Sequence, residues 1–92
     1  MKTMTLDYYQ DPGHGWVKIK LAKLISLGID LDISNYSYIR NDNVFLEEDC
    51  DLARLYKACD DKGIVIKLKE YHTNKSSKIR AYDRFKSIVK GL

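Results

Sequence analysis

Residues 8–19, YYQDPGHGWVKI, hold the only proline, two of the five glycines and the only tryptophan of the chain. Within this stretch, Asp11, Pro12 and Gly13 are typical of a tight turn, because proline presets φ and glycine accepts positive φ. Apolar and polar residues alternate around the turn, which is the pattern of half-buried strands. We therefore predict a turn between two strands, with Gly13 at positive φ. The turn can also present His14 and Trp16 to a partner.

Hydrophobic periodicity predicts the elements on either side of this turn. Gly28 is a natural residue to follow a helix, and Gly63 closes the second predicted helix in the same way. Asn41, Asp42 and Asn43 suit the turn of a β-hairpin. The predicted elements are, in chain order, strands over residues 3–9 and 16–19, a helix over 20–28, hairpin strands over 34–40 and 44–48, a helix over 49–63 and a strand over 64–71.

The last segment of the chain has two interpretations. Ile79, Tyr82, Phe85, Ile88 and Val89 are spaced as on one face of a helix, which Ser76 or Ser77 would cap. Residues 78–82 could instead add an edge strand to the sheet. With the helix, the order of elements is ββα-ββα-β-α.

This order predicts the α+β class, in which a mostly antiparallel sheet of about five strands carries two or three helices on one face. The length of 92 residues suits a single small domain over residues 1–92, and an apolar content of 45% suits a packed core. No apolar run approaches the length of a membrane span and the N-terminus lacks the apolar stretch of a signal peptide, so we expect a cytoplasmic protein.

Histidines and cysteines do not form a recognisable catalytic or metal-binding pattern. Gly13 and Gly15 precede a strand, whereas a phosphate-binding loop runs directly into a helix. His14 has Asp11 nearby but no second local ligand. Cys50 and Cys59 are expected on opposite faces of one helix as reduced thiols, with a catalytic Cys50 at the helix N-terminus as the alternative. We predict no enzyme activity, no catalytic residue, no metal site and no cofactor.

Four carboxylates crowd residues 46–51, LEEDCD, at the start of the second predicted helix. Acidic residues there are stabilised by the positive end of the helix dipole, so a solvated helix start is the ordinary interpretation. An acidic surface for a protein partner is the alternative, and a metal site a weaker one. We select Glu47, Glu48 and Asp49 as the candidate acidic rim of a binding surface.

Aromatic residues of the first hairpin are candidates for the centre of that surface. Tyr9 and Trp16 are expected on the face opposite Tyr8, where they are either buried or form an exposed patch with His14. Exposed aromatic residues often anchor interfaces. Tyr36 and Tyr38 are expected to share one face of their strand.

Charge divides the chain into an acidic body and a basic tail. Residues 1–61 carry a net charge of −4, and residues 62–92 carry +7. Basic residues interleaved with Tyr71 and Tyr82 could hold a phosphate backbone and stack bases, although a solvated basic face or docking on an acidic protein are the alternatives. The candidate nucleic-acid contacts are Lys67, Lys69, Lys75, Lys78, Arg80 and Arg84.

Three segments carry a resemblance to a known family. YYQDPGHGWVKI, ISNYSY and FLEEDCD, in this order and at these spacings, resemble a family of short, uncharacterised proteins carried by bacterial phages, prophages and plasmids. The resemblance covers roughly residues 8–82 and is weakest in the first helix and the C-terminal tail. It implies a mobile-element accessory protein and assigns no catalytic residue.

Two functional hypotheses follow from these observations. The first is a non-enzymatic protein that binds and inhibits a host protein or nucleoprotein complex, for example in an anti-CRISPR-like manner. Its candidate anchors are Tyr9, His14 and Trp16. The second is a small nucleic-acid-binding regulator that uses the basic C-terminal segment to contact DNA or RNA. Neither hypothesis involves a membrane, and a homo-oligomer is compatible with both.

Overall fold

A computed structural model of the protein describes residues 2–85. Short 3-10 turns lie at Asp30–Asp32 and Lys78–Ala81. The strands and helices are β1 (Lys2–Gln10), β2 (Gly15–Lys20), α1 (Leu21–Ser26), β3 (Tyr38–Arg40), β4 (Asn43–Glu47), α2 (Leu52–Asp61), β5 (Ile64–His72) and β6 (Asp83–Arg84).

The six strands form one sheet in the order β5-β1-β2-β4-β3-β6, so the predicted α+β class is confirmed. The sheet has one strand more than expected, and β1 and β5 pair in parallel from Lys2↔Ile64 to Gln10↔His72. Parallel neighbours need a long connection, and α2 forms part of the connection that precedes β5. The other neighbouring pairs are antiparallel, as predicted.

One face of the sheet, the helix face, supports the main hydrophobic core. Val17 and Ile19 of β2 point to this face, as their alternation predicts, and are almost fully buried. They pack with residues of both helices, including Leu24 and Leu55. The helices therefore cover a single face of the sheet, as we expected.

The opposite face, called the outer face here, carries a second and aromatic cluster. Trp16, Phe45 and Ile79 are buried there, and Tyr9, Tyr38 and Tyr82 pack against them. The register explains this cluster, because Tyr9 lies opposite Trp16 and therefore on the same side of the sheet. The predicted separation of Tyr8 from Tyr9 and Trp16 is confirmed.

Residues 73–82, the strap, cross the outer face from β5 at one edge of the sheet to β6 at the other. Ser77 caps the 3-10 turn by accepting a hydrogen bond from the Ile79 backbone N–H. The predicted helix is wrong over residues 79–84, because Ile79 and Tyr82 pack onto the sheet instead of forming a helical stripe. The edge strand is β6, slightly later than the alternative placed it. Residues 86–92 lie outside the described part of the chain.

The turns agree with the sequence at three positions and disagree at one. Gly28 and Gly63 follow the two helices at positive φ, and Asn41 has positive φ between β3 and β4. Gly13 does not have positive φ, so that prediction is wrong. Its lack of a side chain matters for a different reason, since a Cβ there would lie 3.0 Å from Arg80 Nη2.

Asp11 fastens the strap to the first turn. Its buried carboxylate accepts hydrogen bonds from the backbone N–H groups of Gly13, His14 and Ser77. It also accepts two from Arg80, with Nε at 2.7 Å and Nη2 at 2.9 Å. Arg80 first and these backbone donors next hold the pKa of Asp11 well below its usual range, against the opposing effect of burial.

Replacing Asp11 with Asn should lower the free energy of unfolding by about 2–3 kcal/mol at pH 7, because a charged acceptor is lost from a buried network. A carboxyl with a lowered folded-state pKa stabilises the protein above its unfolded pKa of about 4, and this contribution fades as pH falls below that value. Urea unfolding of D11N should therefore lose part of the acid sensitivity seen in the wild type between pH 5 and 2.

Asp60→Asn provides the matched control, because Asp60 is an exposed aspartate of α2. It should leave the stability and its acid dependence nearly unchanged. Equal stability of D11N and the wild type at pH 7 would show that Asp11 does not fasten the strap.

Candidate functional site

The segments DPGHGW, ISNYSY and LEEDCD meet at one end of the sheet around a cavity of about 400 Å³. We call this cavity the motif cleft. It brings together four of the predicted partner-binding residues and two of the predicted nucleic-acid contacts. Its lining residues are His14, Trp16, Tyr36, Tyr38, Glu47, Asp49, Cys50, Arg80 and Arg84.

A buried carboxylate, Asp51, fixes one wall of the cleft. It accepts hydrogen bonds from the Ser34 backbone N–H, the Ser34 hydroxyl at 2.7 Å and the Ser37 hydroxyl at 2.5 Å. The Ser37 hydroxyl in turn accepts a hydrogen bond from the Glu47 backbone N–H at 3.0 Å. The two serines of ISNYSY thus hold the LEEDCD segment in place.

His14 and two carboxylates form a cluster in this cleft. Nδ1 of His14 lies 3.4 Å from Oε1 of Glu47, and the backbone N–H of Asp49 donates to Oε2 of Glu47. One ligand atom from each of His14, Glu47 and Asp49 lies within 4.8 Å of the others. The sequence around His14 offers only Asp11 as a nearby ligand, and the fold adds two carboxylates because pairing of β2 with β4 brings residue 47 close to residue 14.

The four carboxylates of LEEDCD have different environments. Glu48 and Asp49 are exposed, as expected for a solvated segment, and Glu48 accepts a hydrogen bond from the Tyr8 hydroxyl. Glu47 and Asp51 are buried, so the interpretation as a solvated helix start is wrong for them. Glu47 ends β4, and Asp51 directly precedes α2.

The aromatic candidates are separated by the fold. Trp16 is only 1% exposed, so it cannot serve as an exposed anchor. Tyr9 is half-buried and stacks on Tyr71 of β5, with ring centroids 5.1 Å apart. Tyr36 is exposed and precedes β3, so it does not share a strand face with Tyr38 as predicted.

The basic candidates also divide into two groups. Arg80 and Arg84 line the motif cleft, where Arg80 binds Asp11 and Nη1 of Arg84 donates to the Asn35 carbonyl. Arg80 is 5.4 Å from the Trp16 ring centroid. The lysines Lys67, Lys69, Lys75 and Lys78 are exposed on β5 and the strap.

Sequence reasoning missed three basic residues that share the outer face with Lys67 and Lys69. Register places Lys18 of β2 opposite Asp7 and Phe45, with Lys20 on the same side of the strand. Arg40 of β3 lies 5.1 Å from the Tyr82 ring centroid. These residues are in the acidic part of the sequence, and only strand register could have assigned them to this face.

The cysteines are both free, as predicted, but Cys50 lies before α2 and not within it. Burial first, and then a hydrogen bond and the charge of Glu47, raise the pKa of the Cys50 thiol. Burial also raises the pKa of the Cys59 thiol. The alternative of a helix-stabilised Cys50 thiolate is not supported, because its surroundings favour the neutral thiol.

Alkylation by iodoacetamide should report this environment. Because the thiolate is the reactive form, Cys50 in a C59S background should react at least about fivefold more slowly at pH 7.5 in the folded protein than in urea. The midpoint of its rate–pH profile should lie above that of the unfolded chain. Glu47→Gln should move the midpoint down, and Asp60→Asn should not; an unshifted midpoint in the folded protein would contradict the assignment.

None of the helices within residues 2–85 has the length and apolar character needed to cross a membrane. Comparison of the chain with protein-family models, curated proteins and solved structures found no match. The resemblance to mobile-element proteins thus stays a prediction, and the functional proposals below depend on the geometry of the motif cleft and the outer face.

Proposed function

We propose that the protein is a non-enzymatic binding protein that holds single-stranded nucleic acid on the outer face of its sheet. The carrying observation is that basic residues from three strands share this face with exposed or half-buried tyrosines. Lys67 and Lys69 come from β5, Lys18 from β2 and Arg40 from β3. This arrangement supports the second of the two hypotheses drawn from the sequence.

The tyrosines on this face support the proposal that bases stack here. Tyr71 is 39% exposed at the β5 edge and stacks on Tyr9, while Lys69 Nζ lies 5.7 Å from the Tyr71 ring centroid. Next to Tyr9, a groove of about 220 Å³ runs along the strap, with Lys18 and Tyr82 in its walls. Aromatic rings beside cations are what single-stranded nucleic acid needs, since each base offers a face for stacking.

Single strands fit this surface better than a duplex. The bases of a duplex are already stacked on each other, whereas unpaired bases can lie on the exposed ring of Tyr71. The strap leaves Lys67, Lys69 and Arg40 exposed to contact the phosphates. Asp7 lies on the same face between Lys69 and Lys18, and it limits the positive charge there without covering Tyr71.

Binding of a fluorescein-labelled dT12 strand and the matching RNA should depend steeply on salt. If about four phosphates are neutralised, affinity should fall about 50-fold between 50 and 200 mM NaCl, because condensed counterions are released on binding. Fluorescence anisotropy measures this directly. Failure of both strands to bind at 50 mM NaCl would overturn the proposal.

Two matched pairs of variants locate the surface. K67E/K69E should weaken binding more than about tenfold, and K57E/K62E, with the same change of charge near α2, should weaken it much less.

Tyr71→Ala should cost about 1–3 kcal/mol of binding energy through lost stacking, whereas Tyr56→Ala should cost little. Tyr56 is a close control because it is 41% exposed, against 39% for Tyr71. Equal losses within either pair would contradict a specific face.

A second candidate, inhibition of a host protein or nucleoprotein complex, is supported by the rim of the motif cleft. Tyr36 is 60% exposed and shares that cleft with Asp49, and Glu48 adds a neighbouring exposed carboxylate. An exposed aromatic residue beside acidic residues suits a basic partner surface, with the charges steering association and the ring slowing dissociation. This candidate replaces Trp16 with Tyr36 as the anchor.

Pull-down from a bacterial lysate treated with nuclease, followed by mass spectrometry, tests this candidate. A partner should be retained by the wild type, and its association rate should fall about tenfold or more with E48K/D49K. D60K/D61K gives the same change of charge at the end of α2 and should have a small effect. Retention of a partner with equal rates for both variants would exclude the acidic rim as the interface.

A further inference from the structure

The cluster of His14, Glu47 and Asp49 has the composition of a metal site. Each residue is placed by backbone hydrogen bonds: the His14 N–H donates to Asp11, the Glu47 N–H donates to Ser37, and the Asp49 N–H donates to the Glu47 carboxylate. The three side chains therefore converge from two separate turns without needing a large rearrangement of the chain.

One distance in this cluster already suits a small divalent cation, and the others, which are up to 4.8 Å, require the exposed side chains to turn inward. Ligand atoms bound to Zn²⁺ at about 2.0–2.2 Å lie about 3.3–3.5 Å apart in a tetrahedral arrangement. Nδ1 of His14 and Oε1 of Glu47 are already 3.4 Å apart. Asp49 and His14 are exposed and can turn toward a cation, while Glu47 is held in a buried position. An imidazole with two carboxylates favours Zn²⁺, Co²⁺ or Mn²⁺ over Ca²⁺, which prefers oxygen ligands alone.

A separate feature of the same cleft also indicates a ligand. The indole Nε1–H of Trp16 is buried and has no hydrogen-bond partner among residues 2–85. Trp16 lines the cleft together with His14, with their ring centroids 6.0 Å apart. An unpaired buried donor is costly. Trp16 forms part of the cleft wall beside His14, so a ligand in the cleft that reached Nε1 would satisfy this donor.

We propose that the motif cleft is a site for a divalent transition-metal ion, with His14, Glu47 and Asp49 as protein ligands. Three protein ligands leave at least one position open for water or an anion. Arg80 lies on the wall of the same cleft, where its charge is paired with that of Asp11. The cleft does not include Lys67, Lys69 or Tyr71, which are the proposed nucleic-acid contacts on β5, so this proposal does not depend on nucleic-acid binding.

Trp16 provides a built-in reporter, because it is the only tryptophan in the chain. Titration of the purified, metal-free protein with Co²⁺ should quench Trp16 fluorescence to saturation with one equivalent, and Zn²⁺ should then restore the emission by competition. Isothermal titration with Zn²⁺ gives the stoichiometry independently. Lack of saturable quenching, together with no heat from Zn²⁺, would overturn the proposal.

Variants separate this site from adventitious surface binding. His14→Ala and Asp49→Asn should each weaken Zn²⁺ binding by more than about tenfold, since each removes one of three ligands. His72→Ala removes the other histidine, which is exposed beside Glu70, and should change the affinity less than twofold. Equal losses in H14A and H72A would show that the cation binds elsewhere.

Discussion

The ion pair between Asp11 and Arg80 joins two segments that are far apart in sequence. Asp11 follows the first strand and Arg80 belongs to the strap, so this contact spans 69 residues. This contact holds the strap on the outer face, and the strap leads to β6 at the far edge of the sheet. The carboxylate of Asp11 is fully buried, and the Ser77 N–H and the N–H groups of the first turn satisfy the acceptor capacity that Arg80 leaves. A buried charge is tolerated only with such complete pairing. The unusual composition of residues 8–19 is therefore explained mainly by its structural role as the anchorage of the strap.

The strap divides the outer face into two regions with different properties. In the region next to the first turn, Ile79 packs with Trp16 and Phe45, and Arg80 lies over the Trp16 ring. The aromatic residues there are mostly buried and the arginines are committed to partners within the protein. In the second region, at the β5 edge of the sheet, Lys67 and Lys69 remain exposed. The fold thus separates this basic sequence segment into arginines that bind other groups of the protein and exposed lysines on β5 and the strap.

Sequence patterns predicted the parts of this fold that depend on local periodicity and on glycine. Alternation assigned Val17 and Ile19 to the main core, and Gly28 and Gly63 marked the ends of the helices, since both signals act within a few residues. The strap and the parallel position of β5 depend on contacts between distant segments, which a local pattern does not contain. The helical spacing from Ile79 to Phe85 was misleading because Ile79 and Phe85 pack on opposite faces of the sheet. Tertiary packing has overridden the local period.

The cluster of His14, Glu47 and Asp49 in the motif cleft could not be predicted from the sequence either. The neighbours of His14 in sequence offer few metal ligands, yet β2 and β4 pair so that Trp16 lies opposite Glu47. That register brings His14, two residues earlier, to Glu47 at the end of β4 and to Asp49 just after it. Two interactions fix the backbone of this arrangement: Asp11 holds the His14 turn, and Ser37, bound to Asp51, holds Glu47. Each buried aspartate therefore positions one half of the cluster. Two buried carboxylates hold the three distinctive segments in place: Asp11 stabilises the turn of DPGHGW, and Asp51 of LEEDCD binds the serines of ISNYSY. His14, Glu47 and Asp49 are left facing the cleft.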